Sequence, residues 1–272
     1  MNIQRVTNLE GQALAPYVSL SNRELKNIAH PGDSFVICES LLVLQTVFEL
    51  HVEVVSVLVW DKHLSNLERS ISPAALGDVP IYVASHELLS KLVGFNVCRG
   101  YYACVRRPSL LSSAAVDWHS YTRIAVVEDL CDVSNLGALI RNACALGIDA
   151  VVCSPTCADP FNRRCVRTSM GTVFRLPIIQ ANSNWPYDVF SCLSAADYTV
   201  FGAALRKDAL NVRDVDFSHY KRCALCFGNE SKGLSTPVID ACDQLVMIPM
   251  KHGVDSLNVA ASSAVLFWDM CS

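Results

Sequence analysis

From Asn22 onward the chain alternates polar, amphipathic stretches with short runs of Val, Ile, Leu and Ala. Asn22 to His30 is polar and helix-like, Ser34 to Cys38 is a short β-rich run, and Leu41 to Leu50 is an apolar helix. Val54 to Val59 and Ile81 to Ala84 read as buried strands, and Ser85 to Val93 as a helix with Ser85 at its N-cap. This pattern predicts a small α/β sandwich. A stretch rich in Pro, Ser and Ala then runs from Arg107 to Ser120 with neither helical nor strand period, and the domain boundary is placed there, with a first domain at 1–105, a linker at 106–120 and a second domain at 121–272.

The second half alternates again. Strands are predicted at Ile124–Glu128, Ala150–Ser154, Tyr198–Ala203, Cys223–Phe227 and Gln244–Ile248, and helices at Leu136–Leu146, Phe161–Met170, Tyr187–Ala195 and Leu257–Asp269. Strands rich in Val, Ile and Ala between helices predict a mostly parallel sheet covered on both faces, with ligands at the carboxyl ends of the strands. No Gly-x-Gly-x-x-Gly follows a predicted strand and there is no Walker loop, which points to a ligand that lacks a pyrophosphate.

Composition narrows the class. Of 272 residues 51% are apolar, so a membrane span has to be weighed. Leu41–Trp60 is broken by Gln45, Glu49, His51 and Glu53, and Val259–Trp268 is short of the roughly 20 apolar residues that cross a bilayer. Met1–Gly11 is polar where a secretory signal has an apolar core. These features predict a soluble, cytoplasmic protein with no membrane partner. The 13 cysteines are scattered through apolar runs as small hydrophobes of a reducing compartment. Cys223 and Cys226 have the spacing of a metal knuckle, but no second Cys or His pair stands at zinc-ligand spacing, so no metal is expected. The formal net charge of −4 weighs against a nucleic-acid partner. Local clusters oppose it: Arg99, Arg106 and Arg107 in the middle, then Arg163, Arg164, Arg167 and Arg175 with only Asp159 nearby. Solvated helix faces are the competing reading of each such arginine.

Three stretches carry the chemistry: Asn135-Leu136-Gly137-Ala138-Leu139-Ile140-Arg141, Phe227-Gly228-Asn229-Glu230-Ser231-Lys232-Gly233-Leu234-Ser235, and Ile248-Pro249-Met250 followed by Ser256-Leu257-Asn258-Val259. Asn135 stands before an apolar helical face of Leu136, Leu139, Ile140 and Ala143, with Arg141 on the other side between the small Ala138 and Ala145. Taken alone, such an Arg is ordinarily half of a surface ion pair. Gly228 and Gly233 permit backbone conformations that a side chain forbids. Glu230 is also a fitting helix-capping carboxylate ahead of Leu234, and Ser256 and Asn258 are natural caps of the last helix.

In this order the three stretches resemble the signature motifs of the SpoU (TrmH-like) class of SPOUT RNA 2′-O-ribose methyltransferases. The resemblance covers Ile124 to about Trp268 and implies a C-terminal α/β knot, a trefoil-knotted and mostly parallel sheet, that dimerises and binds S-adenosyl-L-methionine among its knotted loops. The first domain resembles, more loosely, the ribosomal-protein-L30e-like RNA-binding domain that many members carry. By this resemblance Arg141 activates the ribose 2′-hydroxyl, with Asn135, Glu230 and Asn258 as the other catalytic positions. The same resemblance implies that backbone at Gly228, Ile248 and Leu257 contacts the cofactor, with Asn229, Met250 and Ser256 beside them.

Methyl transfer from a sulfonium is an in-line displacement at an activated carbon, so alignment and help in deprotonating the hydroxyl are what remain to be supplied. An Arg with a pKa above about 12 fits a stabiliser of the developing alkoxide better than a base. Ala158-Asp159-Pro160-Phe161 and Val166–Gly171 resemble the family's intermediate segment, which implies RNA phosphate contacts from Arg167 and Ser169, with Arg163, Arg164 and Arg106 as further candidates and salt bridges or caps as the competing roles. Cys131-Asp132-Val133-Ser134 departs from the Asp-Pro that members often have before the Asn. The resemblance implies methylation of ribosomal RNA, the 23S species being the usual target of this two-domain architecture, with transfer RNA as the alternative. A non-catalytic RNA-binding protein of the same fold and a small-molecule α/β enzyme stand behind these.

Overall fold

A computed structural model describes residues 1–8, 11–18, 22–26, 33–93 and 99–272. The chain divides into two compact units, Met1–Ser109 with Phe161–Phe174, and Leu110–Pro160 with Arg175–Ser272. The first contains β1 (Asn2–Arg5), α1 (Ala15–Val18), α2 (Asn22–Lys26), β2 (Phe35–Glu39), α3 (Leu41–Glu49), β3 (Val54–Trp60), α4 (Leu64–Ser70), α5 (Pro73–Leu76), β4 (Pro80–Ala84), α6 (His86–Val93) and β5 (Tyr101–Arg106). Its sheet has the order β1-β4-β3-β5-β2, with β5 antiparallel to both neighbours and the other pairs parallel. The Ser85 hydroxyl accepts from the Leu88 amide at 3.2 Å, the cap anticipated for α6. The predicted helix from Asn22 is described as far as Lys26, and its continuation to His30 lies outside the described residues.

The second unit contains β6 (Leu111–Ser112), β7 (Arg123–Val127), α7 (Val133–Leu146) and β8 (Ala150–Cys153). After α8 (Arg163–Thr168), which belongs to the first unit, it continues with β9 (Ile178–Gln180), α9 (Tyr187–Ala195), β10 (Thr199–Ala203), β11 (Leu210–Asn211), β12 (Cys223–Phe227), α10 (Thr236–Ala241), β13 (Gln244–Met247) and α11 (Val259–Cys271). The strands pair throughout in parallel, in the order β11-β13-β10-β12-β7-β8-β9-β6. This is the mostly parallel α/β sheet that the sequence predicts. One face packs Val126, Val152 and Ala224 against Val189 and Leu193 of α9 and Val238 of α10. On the other face Phe227 meets Phe267 of α11 edge to face, with ring centroids 5.2 Å apart, and α11 packs along α7. From β7 the chain runs to β8 on one side and later returns through β10 to β12 on the other. The boundary between β7 and β12 is therefore a topological switch point, where parallel sheets open a ligand crevice.

Two departures from the sequence reading bear on function. Residues 161–174 fold with the first unit: Gly171 lies against Thr46 and Val43 of α3, and Arg163 and Arg167 both reach Glu39 at the end of β2. In addition, α7 begins before Asn135, at Val133. Asp132 is its N-cap and accepts from the amides of Ser134 at 2.6 Å and Asn135 at 3.1 Å.

Candidate active site

Because Asp132 takes the capping role, the Asn135 side chain is spared for longer-range bonds. Its Nδ2 donates to Glu230 Oε1 at 2.9 Å, and its Oδ1 accepts from Asn258 Nδ2 at 3.0 Å. Asn258 is the N-cap of α11, with its own Oδ1 accepting the Ala260 amide at 2.9 Å. That backbone bond orients both amides: Asn258 can offer Asn135 only its NH2, so Asn135 turns its oxygen there and its NH2 to the carboxylate. One side chain thus joins the first motif to the second and third.

The second motif is a tight loop after β12. A Cβ on Gly228 would stand 2.2 Å from the Gly233 carbonyl carbon and 2.3 Å from the Leu234 nitrogen, so only glycine fits. Asn229 and Gly233 exchange backbone hydrogen bonds of 3.1 and 2.8 Å. The Asn229 side chain accepts from the amides of Ser231 at 2.9 Å and Lys232 at 3.1 Å, and donates to the Asp129 carbonyl at 2.8 Å. The far end of the loop is held by Glu128, only 8% exposed at the end of β7. It accepts from the Ser235 amide and hydroxyl, each at 2.7 Å, and from Trp185 Nε1 at 3.0 Å. Sequence reasoning missed this role and saw Glu128 only as the end of a strand. A carboxylate directly after the apolar run Ile124–Val127 was the available signal, since a charge at that position has to find donors.

A cavity of about 630 Å³ opens beside the loop, at the carboxyl ends of β10, β12 and β13. Gly228, Asn229, Ile248, Met250, Ser256 and Leu257, the six expected cofactor contacts, all line it, together with Glu230 and Asn258. Ala204 and Leu205, just past β10, also line it and were not anticipated. Their signal was position alone, after a strand whose adjacency to β12 the sequence does not show. Asn135 is bonded to two of the lining residues, Glu230 and Asn258, without lining the cavity itself, and Arg141 is outside the lining. Arg141 is exposed on α7, with no side-chain hydrogen bond or ion pair among the described residues.

The expected RNA contacts separate. Arg164 is exposed. Arg163 and Arg167 pair with Glu39, and Arg106 pairs with Glu53 at 3.4 Å and Asp33 at 3.7 Å. Ser169 is a correction: it is fully buried and its hydroxyl donates to the Val166 carbonyl at 3.0 Å, so it presents nothing to a phosphate. Cys223 and Cys226 stand three positions apart on β12, and strand alternation sends their side chains to opposite faces. Among the described residues no group of three His, Cys, Asp or Glu side chains could hold a metal ion. No helix among them is long and apolar enough to cross a membrane.

The chain is similar to several known proteins. An uncharacterised tRNA/rRNA methyltransferase of Mycobacterium bovis is 31% identical over 270 residues, 99% of this chain and 92% of that one. The 23S rRNA (guanosine(2553)-2′-O)-methyltransferase RlmP of Bacillus subtilis is 31% identical over 148 residues, 54% of this chain and 57% of that one. A crystal structure of an AdoMet-bound rRNA methyltransferase from Sinorhizobium meliloti has a TM-score of 0.78 over 98% of this chain and 97% of that one, and at 22% identity it speaks for the fold alone. Residues 122–268, which contain every one of the three motifs, match the model of the SpoU rRNA Methylase family, and the chain belongs to that family.

Proposed function

We propose that this protein is an S-adenosyl-L-methionine-dependent RNA methyltransferase that methylates a ribose 2′-hydroxyl of 23S ribosomal RNA. Family membership and the activity named for the Bacillus subtilis relative support the reaction and the substrate class. The observation that carries the reading is the Asn135 junction, which gathers Glu230 and Asn258 at the edge of the cavity.

The residues present fit the cofactor. The cavity falls within the range of about 300–1,000 Å³ usual for small-ligand sites. Gly228 brings backbone to its wall, Ile248, Met250 and Leu257 give it apolar surface, and the carboxylates of Glu230 and Asp255 suit a ligand with positive charge. When bound, S-adenosyl-L-methionine supplies a methyl group on a sulfonium, ready for in-line displacement. The chain has to align the hydroxyl and stabilise charge on its oxygen. Arg141 takes the second task as a permanent cation. Glu230, fixed by Asn135, and Asn258, fixed by the start of α11, hold the cavity side of the reacting groups.

Arg141 acts across a homodimer of the C-terminal unit. Its exposed flank of α7 includes Ala145, and α11, packed along α7, exposes Ala261, Val265 and Trp268 at i, i+4 and i+7, with Trp268 68% exposed. Joining two copies on this face covers the apolar stripe and delivers Arg141 to the cavity of the other copy. The C-terminal unit is the family's trefoil knot, and the first unit is an L30e-like domain that captures RNA in the cytoplasm, with Arg164 among its contacts.

The test is transfer of labelled methyl from S-adenosyl-L-methionine to unmodified, size-fractionated total RNA. Label in ribosomal RNA that survives alkali as a dinucleotide is the expected result. The same label confined to transfer RNA overturns the substrate, and alkali-labile label overturns the ribose 2′ position.

A further inference from the structure

Four rings meet at one end of the first unit's sheet. β3 and β4 run parallel and finish side by side, with Trp60 opposite Ala84, and β5, antiparallel to β3, starts at the same end with Tyr101. The chain leaves β3 through the turn Asp61–His63, enters α6 after β4 at His86, and reaches β5 through Arg99 and Gly100. Tyr101 is 6% exposed and serves as a floor. His63 stacks on it with ring centroids 4.7 Å apart and planes 17° from parallel, and Asn66 Nδ2 donates to the Tyr101 hydroxyl at 2.8 Å. Trp60 meets His63 edge to face at 4.9 Å and His86 at 4.7 Å with planes inclined by 47°. Gly100 permits this packing: its φ is 66°, and a Cβ there would stand 2.8 Å from His63 Cδ2 and 3.0 Å from Trp60 Cβ. Trp60, His63 and His86 are each half-buried, which leaves part of the cluster open to solvent.

Cations stand beside these rings. Lys62 is exposed with its Nζ 5.5 Å from the Trp60 ring centroid, and Arg99, next to Gly100, is exposed too. The Asp61 carboxylate accepts from the Lys62 amide at 2.6 Å and so caps the turn. At the same end, on the other side of β5, Glu39 closes β2 and pairs with both Arg163 and Arg167, while Arg163 lies 5.9 Å from the Tyr102 ring centroid. Two guanidiniums on one carboxylate leave positive charge there, in a chain whose net charge is −4. Burial alone would be served by Leu or Val at these positions. Half-open π faces among cations suit a polyanion whose bases stack.

We propose that this end of the first unit is a binding surface for unpaired RNA, with bases stacked on Trp60, His63 and His86 and phosphates met by Lys62 and Arg99. Every base has a π face, so stacking tolerates any sequence, and a duplex hides those faces, so the surface selects single-stranded segments. The assignment rests on the first unit capturing RNA, and it specifies the form of RNA captured.

Full-length protein is titrated into a fluorescein-labelled, unpaired RNA oligonucleotide of mixed sequence, and into the same strand annealed to its complement, with anisotropy read at several salt concentrations. The single strand should bind at least about five-fold more tightly than the duplex. Trp60→Leu, which keeps apolar bulk without a π face, should raise the Kd for the single strand at least about five-fold, while Trp60→Phe, which keeps a π face, should stay within about two-fold. If Trp60→Leu fails to fold, His86→Leu against His86→Phe serves the same comparison. Lys62→Gln should lower the slope of log K against log salt by about 0.7, the value for one phosphate of a single strand, and an unchanged slope removes Lys62 from the surface. A duplex bound as tightly as the single strand, equal losses in the Leu and Phe variants, or an unchanged Kd in the Leu variant each overturns the proposal, and labelled methyl transfer to RNA by the unsubstituted protein then leaves the proposed activity standing. Absence of both RNA binding and methyl transfer overturns that activity, and the surface with it.

Discussion

Replacing Asn135 by Asp probes the junction more sharply than deleting it. The Asp keeps an oxygen for Asn258 Nδ2 but sets a second oxygen against Glu230 Oε1, where the native NH2 donates at 2.9 Å. Two unit charges about 4 Å apart repel by about 1 kcal/mol in water and about 4 kcal/mol at an effective dielectric near 20. Glu230 is exposed, so the lower part of that range applies, about 1–2 kcal/mol. Asn135→Ala also loses both bonds, each worth about 0.5–1.5 kcal/mol net, but adds no repulsion and leaves partners that water can reach. Isothermal titration with S-adenosyl-L-methionine should therefore show Asn135→Asp binding roughly 5-fold or more weakly than Asn135→Ala at pH 8. The gap has a defined pH dependence. Two facing carboxylates raise their shared proton affinity in the folded site, so the penalty is present above that raised pKa and is lost as the pH falls through it. Asn135→Ala should show no matching trend. Equal affinities of the two variants at every pH would refute the placement of Asn135 between Glu230 and Asn258.

Gly228→Ala forces a methyl into backbone at 2.2 Å, and should weaken cofactor affinity at least tenfold in the same titration; unchanged affinity would mean that the loop sits elsewhere. Arg141→Ala should abolish methyl transfer while leaving cofactor Kd within a few-fold, because Arg141 is outside the cavity lining, and equal loss of both would make it structural. Trp268→Glu places a charge on the exposed stripe of α11 and should yield a monomer by sedimentation with methyl transfer lost; a surviving dimer would refute the interface. Glu128→Gln turns an NH2 toward the Ser235 and Trp185 donors, and should lower Tm by several degrees through a loss of about 1–3 kcal/mol, whereas an unshifted Tm would deny Glu128 its anchoring role.

Where local pattern decides the structure, the sequence was legible. Cys223–Phe227 and Tyr187–Ala195 form their elements end to end as predicted, the first an unbroken apolar run that stops at Gly228 and the second an amphipathic face that opens after Pro186. The start of α7 was less legible because Asp132 and Asn135 are both good caps three positions apart. Only the Glu230 and Asn258 partners, distant in sequence, explain why Asp132 takes that role. The edge strand β1 is exposed at all four positions and carries no hydrophobic signal. The arginines of residues 163–167 read as a basic patch, yet two of them meet Glu39 across more than a hundred residues, a pairing that no local window contains. The six cavity residues were legible for a different reason: they came from motif resemblance, and periodicity alone would have assigned them to turns and caps.

The strand order explains why three weak local signals make one site. β7 and β12 are distant in sequence and adjacent in the sheet, so Glu128 and Asp129 at the end of one stand beside the Gly228 loop at the end of the other. The third motif leaves β13, two strands away, and would remain apart if the chain ended there. The final helix brings it back, because α11 packs along α7 and presents its N-cap, Asn258, to Asn135. Asn142 secures that docking, donating to the Ala260 carbonyl at 2.6 Å and to Ser263 Oγ at 3.0 Å. The pair Asn135 and Asn142, one helical heptad apart on α7, thus hold the site and the helix that completes it. A ligand that needs the assembled cavity must stabilise the docked state of α11 through the same bonds, which couples cofactor binding to the last helix by linkage.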